Sequence, residues 1–140
     1  MKVIKSFKPL PSEEGEEFYP NGVFVFNISK LIQYIDDNHE IFQTEQILVN
    51  ALQSFSSPNL NEATVKTADL SVPIIMAEIS PDQFNVIDGH HRLEKARSEG
   101  VEVVLAYKVP AEHHIFFLNS IDGYLAYVEY WNNKLKERKK

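Results

Sequence analysis

Cysteine is missing from all 140 residues. That excludes disulfides, thiolate metal sites and a cysteine nucleophile, and it fits an expectation of a cytoplasmic protein. Long apolar runs are missing too. None approaches the roughly 18 residues that a membrane helix needs, so no membrane partner is expected. The opening stretch, MKVIKSFKPLPSEEGEEFYPNG, has no signal-peptide apolar core and turns acidic and rich in proline and glycine. Basic charge is also short. Lys and Arg number 14 against 20 Asp and Glu, a formal net charge of -6. A duplex-binding protein needs a field of Lys and Arg to displace counterions, so the overall charge disfavours DNA and leaves room only for a local basic patch. No internal repeat is visible.

What remains is the composition of an ordinary folded domain, 44% hydrophobic and 24% charged, in a chain of single-domain length. Residues 1–22 read as a loop-rich, mobile amino-terminal segment with few apolar contacts, which Phe18 and Tyr19 could tack to the body. Val23–Phe26 has strand character. Asn27 is placed to cap a helix whose face carries Ile28, Leu31, Ile32 and Ile35 at the i, i+3, i+4, i+7 spacing. The run EQILVNALQSF supports two readings. Ile47, Leu48, Ala51, Leu52 and Phe55 suit a helix, and Ile47–Val49 suits a buried strand followed by a turn of helix. SSPNLNEATVKTADLS is turn-rich. VPIIMAEI and FNVI form a hairpin around the turn SPDQ. A helix follows over His90–Ser98, with Gly100 at its carboxyl-terminal stop, then a Val-rich strand, VEVVLAYKV. Strand, helix and strand here suggest a β–α–β unit, right-handed where the strands are parallel. Pro110 suits the first turn of a helix PAEHHIFFL. Ser120 caps the last helix, whose stripe is Ile121, Leu125, Val128, Trp131 and Leu135, and KLKERKK sets positive charge at the negative end of its dipole. The class is α+β or α/β: one domain over 1–140 with a small mixed sheet, packed helices and a carboxyl-terminal helix over 120–140.

The corner Asp88-Gly89-His90-His91-Arg92 lies between a strand and a helix. Gly89 allows a turn at positive φ and a close backbone approach. The first N–H groups of the helix lack intrahelical partners, and the macrodipole adds about half a positive charge there. Such a corner binds anions. Arg92 adds a planar fork matched to phosphate, and each histidine can donate. Three or four charge-assisted bonds would support micromolar binding, about -8 kcal/mol. A cationic side chain at a helix amino terminus is unfavourable in itself, a local conflict of the kind found at functional sites. Asp88 could cap the helix, hold Arg92, or help bind a metal carried by phosphates. The plain alternative is a strand–turn–helix corner with solvated His and Arg.

The run PIIMAEI…FNVIDGHHRLEKARSEGVEVVLAYKV resembles the ParB/sulfiredoxin superfamily, whose hallmark is a strand, a Gly-x-x-Arg turn, a helix with small residues, a glycine and another strand. Gly89 and Arg92 match both branches, and His91 matches the sulfiredoxin histidine. The strong match spans Val72–Val109, roughly a quarter of the chain, and ILVNAL is weakly similar to the strand that opens the ParB-type domain. The resemblance implies a nucleotide whose phosphates rest on Gly89, His90, His91 and Arg92: ATP, CTP or ADP with Mg. It implies Mg-dependent phosphoryl transfer or nucleotide hydrolysis, with Asp88 and His90 as the candidates for a catalytic role. His90 replaces the sulfiredoxin cysteine, so sulfinic-acid reduction is excluded. No helix-turn-helix region follows, which argues against ParB-like DNA loading. The catalytic acid of the related serine kinases has no matching motif, and Glu16, Glu17 and Glu78 are guesses for it. The alternatives are a non-catalytic module that senses a ligand such as a phosphorylated small molecule or binds a protein and, as the weakest reading, a nuclease.

Other features favour plainer roles. Neighbouring His113 and His114 point about 100° apart on a helix, a poor metal pair; the expectation is one exposed and one packed near Phe116 and Phe117. Glu13–Glu17 could gather a divalent cation but reads better as a solvated acidic loop, with a lid carrying the catalytic carboxylate as its other role. Tyr124, Tyr127, Tyr130 and Trp131 read as core or a homodimer face, with base stacking as the lesser option.

Overall fold

The computed structural model describes residues 1–52 and 62–138. They form a mixed α+β fold with five α-helices and two sheets among the described residues. The first sheet is a hairpin of β1 (Phe18–Asn21) and β2 (Phe24–Asn27), which turns at Gly22 with φ 71°. Asn27 ends β2 and starts α1 (Ile28–Asp37): its side-chain oxygen accepts from the Lys30 amide at 3.0 Å. Ile28, Leu31 and Ile35 are buried as their spacing predicts, whereas Ile32 lies at the rim, 36% exposed.

EQILVNAL takes the strand reading. β3 (Glu45–Leu48) is followed by one 3₁₀ turn over Val49–Ala51. The strand is a sheet edge with Leu48 exposed, not a buried strand. Phe55 and the run from 53 to 61 lie outside the described residues. Within the stretch expected to be turns, Glu62–Thr67 is a short helix, α2.

β4 (Ile74–Ser80) and β5 (Gln83–Asp88) form the expected antiparallel hairpin. α3 (His90–Ser98) ends in a Schellman pair: the Val101 amide donates to Ala96 at 2.8 Å and that of Gly100 to Arg97 at 3.3 Å, with Gly100 at φ 70°. β6 (Val103–Val109) then enters the sheet in the order β3-β6-β4-β5. β6 is parallel to β4, and β5 is antiparallel to β4. The β5–α3–β6 link therefore joins strands of opposite direction with β4 between them. The tight turn after Ser80 lays β5 on one side of β4, and α3 carries the chain across to the other.

Both faces of this sheet are covered. Ile75, Ala77, Ile79, Ile87 and Val109 face a core with Phe24, Phe26, α1, α4 (Ala111–His114) and α5 (Ile121–Arg138). Ile74, Met76, Val86, Val104 and Ala106 face Leu93 and Ala96 of α3. Ser120 caps α5 through its hydroxyl, which accepts from Gly123 at 2.9 Å. The buried stripe of α5 is Tyr124, Tyr127 and Val128, with Trp131 packed beside it. This differs from the expected stripe, because Ile121 is 51% and Leu125 43% exposed. Tyrosine rings count as core here: Tyr124 stacks on Phe7 at 4.0 Å, and Tyr127 meets Phe24 edge-on.

The amino-terminal segment is tied down rather than loose. Phe7 is buried, the Ile4 amide donates to the Tyr124 hydroxyl at 2.7 Å, and the Met1 ammonium donates to Asn132 Oδ1 at 2.6 Å. Among the described residues, no helix is long and apolar enough to cross a membrane.

His114 is fully buried. Its Nε2 donates to the Glu78 carbonyl at 2.6 Å, and the Tyr127 hydroxyl donates to the same oxygen at 2.7 Å. Its rings of contact are Phe26 and Tyr127, not Phe116, which is exposed, nor Phe117. Burial pushes the His114 imidazole down to about 4 from an ordinary 6.5, and burial likewise pushes the Tyr127 phenol up. The unfolded chain then binds a proton at this histidine between pH 6.5 and 4 that the folded chain refuses. Stability from this group is full above about 6.5 and falls as the pH drops, by about 3 kcal/mol over that window. Urea denaturation at pH 7, 6, 5 and 4 is expected to show that loss, and a His114→Gln variant is expected to flatten the slope although it is less stable at pH 7. An equal slope in the variant would assign the acid sensitivity elsewhere.

Candidate functional site

Gly89, with φ 101° and ψ 21°, sits at the cap position just before α3, and no side chain caps the helix's amino end. A left-handed residue here lets the chain leave β5 and enter the helix in one step. A second demand on the glycine comes from packing. A Cβ at this position would lie 2.6 Å from Ile74 Cγ2 and 2.9 Å from Arg92 Nη2. The close approach is thus to β4 and to the guanidinium, from inside the fold.

Arg92 folds back over that contact. Its Nη2 donates to the Pro73 carbonyl and to Asp88 Oδ2, both at 3.2 Å. The Asp88–Arg92 ion pair is of the i, i+4 kind, with each side chain 20% exposed. Asp88 is therefore a positioning group for Arg92 and does not cap the helix. Both bonds use Nη2. Nη1 makes no hydrogen bond among the described residues, and Nε is buried without a partner. The fork keeps donor capacity on one side.

His90 and His91 follow at half-exposed positions. The His90 ring stacks on Tyr19 of β1, with centroids 5.0 Å apart and planes 22° from parallel, and its Nε2 is 3.5 Å from the Tyr19 hydroxyl. Burial holds the His90 imidazole below the ordinary histidine range; the nearby Asp88 charge opposes this and that of His91 reinforces it. That burial favours the neutral imidazole, which can still donate one hydrogen bond. Burial also pushes the Tyr19 phenol up. Tyr19, expected only to tack the amino-terminal segment to the body, was not read as part of this site: it stands 71 positions from its ring partner, and no local pattern signals the contact.

Two carboxylates guessed as catalytic acids have structural work. Glu78 Oε1 accepts from the Ala111 amide at 3.1 Å and Oε2 from the Asp82 amide at 2.9 Å. Glu16 accepts from the Glu13 amide at 2.7 Å and pairs with Lys30 at 3.1 Å. The Glu13 hydrogen bond, with those of Asn27 and Lys30, holds Glu16 below the usual carboxylate range. The acidic run is anchored at α1. At Glu17 the backbone is what engages: its amide donates to Ser29 Oγ at 2.7 Å, and its carbonyl accepts from Ile28 at 2.9 Å. His113 packs against Tyr34 and Phe42, and its Nδ1 lies in hydrogen-bond contact with the Tyr34 hydroxyl at 3.0 Å. Among the described residues, no group of three His, Asp or Glu could hold a metal ion.

Beside the Tyr19–His90 stack runs a groove of about 370 Å³ between β1, β5 and the turn after β3. Neither the models of protein families, nor the curated proteins, nor the solved structures include a match to this chain. The site is accordingly judged on its geometry and chemistry.

Alanine at position 89 is expected to destabilise the fold by about 2–4 kcal/mol, combining a strained positive φ with overpacking against Ile74. Urea denaturation measures it. A variant within about 1 kcal/mol of the wild type would refute the packing role of this glycine.

Proposed function

We propose that the amino terminus of α3 binds the phosphates of a nucleotide, on a fold of the ParB/sulfiredoxin kind, and that Arg92, His91 and the main chain after Gly89 hold them. The observation that carries this reading is an uncapped helix start at a left-handed glycine with a guanidinium beside it whose Nη1 side is unspent. Helix-start amides and an arginine fork are complementary to phosphate oxygens. Mg enters with the nucleotide, and ATP, CTP and ADP are the donors to test. His90, stacked on Tyr19 and shifted by burial toward its neutral form, serves as a wall and a hydrogen-bonding group.

Turnover asks more than binding. Phosphoryl transfer needs positioning and charge stabilisation, with a group that orients the acceptor. Asp88 is the carboxylate at the corner, and it is engaged by Arg92. Phosphate and Asp88 compete for one guanidinium. When phosphate draws Arg92 away, Asp88 is freed for Mg or for the acceptor, which is the phosphotransferase or hydrolase reading. The second reading, a nucleotide-sensing module without turnover, is favoured by the engagement of Glu16 and Glu78 in backbone capping.

Calorimetric titration with ATP, CTP and ADP, with and without Mg, is expected to give micromolar binding of at least one. Arg92→Ala is expected to weaken it about tenfold to a hundredfold, the worth of one charge-assisted contact, and Arg92→Lys by less. Binding that is unchanged in Arg92→Ala rules out the role given to Arg92. Asp88→Asn separates the two readings. Tighter Mg-free binding marks Asp88 as a competitor only; loss of the Mg-dependent part, together with loss of product, marks it as a participant in the chemistry.

A further inference from the structure

We infer that the groove next to the Tyr19–His90 stack is the seat of a planar, hydrogen-bonding heterocycle, the base of the nucleotide whose phosphates α3 holds. This rests on the phosphate reading above and adds to it which part of the ligand is recognised, and where.

The groove holds about 370 Å³ and is lined by Tyr19, Asn21, Leu52, Phe84 and Asn85, among others. That volume is in the range of small-molecule sites. Two aromatic rings line it, and each is braced by a partner. Tyr19 is backed by the His90 ring. Phe84 carries the Lys108 ammonium 4.6 Å from its centroid. Braced rings give up little conformational freedom when a flat ligand stacks on them, and stacking on aromatics serves every base. The carboxamides of Asn21 and Asn85 make no hydrogen bond among the described residues. A carboxamide offers a donor and an acceptor side by side, which matches the alternating edge of a heterocycle. β5 adds a third source of contacts: it is the last strand of its sheet, so its outer side is not hydrogen-bonded to a further strand of that sheet. A purely anionic ligand has no use for two rings and two neutral amides.

The groove also lies in the right place. Tyr19 lines it, and the same ring covers His90, the first residue of α3. One side chain thus separates the groove from the phosphate corner. A ligand with a ring in the groove and oxyanions on α3 would straddle Tyr19, and a nucleoside polyphosphate has that shape.

The test compares a nucleotide with its bare anion. The full chain is titrated calorimetrically with ATP, CTP, GTP and UTP, with the matching nucleosides, and with tripolyphosphate, all in Mg. The readout is the affinity ratio of the best nucleotide to tripolyphosphate. It is expected to be at least tenfold in the wild type and to fall about tenfold in Phe84→Leu and in Tyr19→Leu. Asn85→Ala, on an exposed position, is expected to change the order of preference among the four bases. Tripolyphosphate binding as tight as that of every nucleotide, or a ratio unmoved in all three variants, overturns the groove as a base site. Nucleoside binding that these variants abolish, with no binding of tripolyphosphate, upholds the groove and overturns the phosphate corner. No binding by any probe overturns both.

Discussion

The strand β4 is the constraint on which the rest of the fold depends. It lies between a parallel and an antiparallel neighbour, and its side chains enter both cores: Ile75, Ala77 and Ile79 on one face, Ile74 and Met76 on the other. A strand covered on both faces and paired on both edges has no freedom of register, because a slip of one residue would swap its two sets of side chains between cores of different shape. The residues just before it and near its end then act as fixed points. Pro73 and Ile74 define where the start of α3 can sit. Glu78 gathers Tyr127 and His114 on its carbonyl and the Ala111 and Asp82 amides on its carboxylate. One residue thus ties α5, α4 and the β4–β5 turn to the sheet.

The α3 corner inherits its character from that placement. Gly89 presses on Ile74, so the helix start is held by contact with the central strand. Arg92 lies across this contact and is divided between the Pro73 carbonyl and Asp88. An arginine near a helix amino terminus opposes the dipole, and Asp88 offsets that locally. The ion pair holds the Nη2 side of the guanidinium against the helix start. The same balance explains why the corner is intact as a structural motif and still chemically open on the Nη1 side. Tyr19 extends the corner sideways. It belongs to the hairpin, is fixed from the far side by the pairing of β1 with β2, and turns a bare helix end into one wall of a groove.

Much of the local structure could be read from the chain. The α1 cap at Asn27, the β4–β5 hairpin, the span of α3 and its glycine stop all follow from short-range rules of capping, alternation and positive φ. Those features depend on residues within a few positions of one another. The missed features involve distance. The rotation of α5 was misjudged because Ile121 and Leu125 are more apolar than Tyr124 and Tyr127, yet the tyrosine hydroxyls find partners in the backbone amide of Ile4 and the carbonyl of Glu78, which makes their burial favourable. The opening segment looked loose because its composition is that of a loop. Its attachment runs through Phe7 and Met1 to a helix more than a hundred residues later. The strand–helix–strand order left the direction of β6 relative to β5 open, and only the sheet order reveals that the two run oppositely with β4 between them.

By itself, the sequence determined α1 and its cap, the β4–β5 hairpin and the span of α3, that Gly89 must turn where it does, and that a guanidinium would stand near the first turn of α3. These are properties of neighbouring residues, whereas β1, α2 and the strand reading of β3 came only with the structure. The tertiary structure decided what those groups face: Arg92 toward Asp88 and Pro73, His90 against Tyr19, Glu78 into backbone amides, and a groove beside the α3 corner. Side-chain direction and electrostatic environment depend on partners brought from afar by the packing of two cores around one strand, and nothing in the local order of residues encodes those encounters.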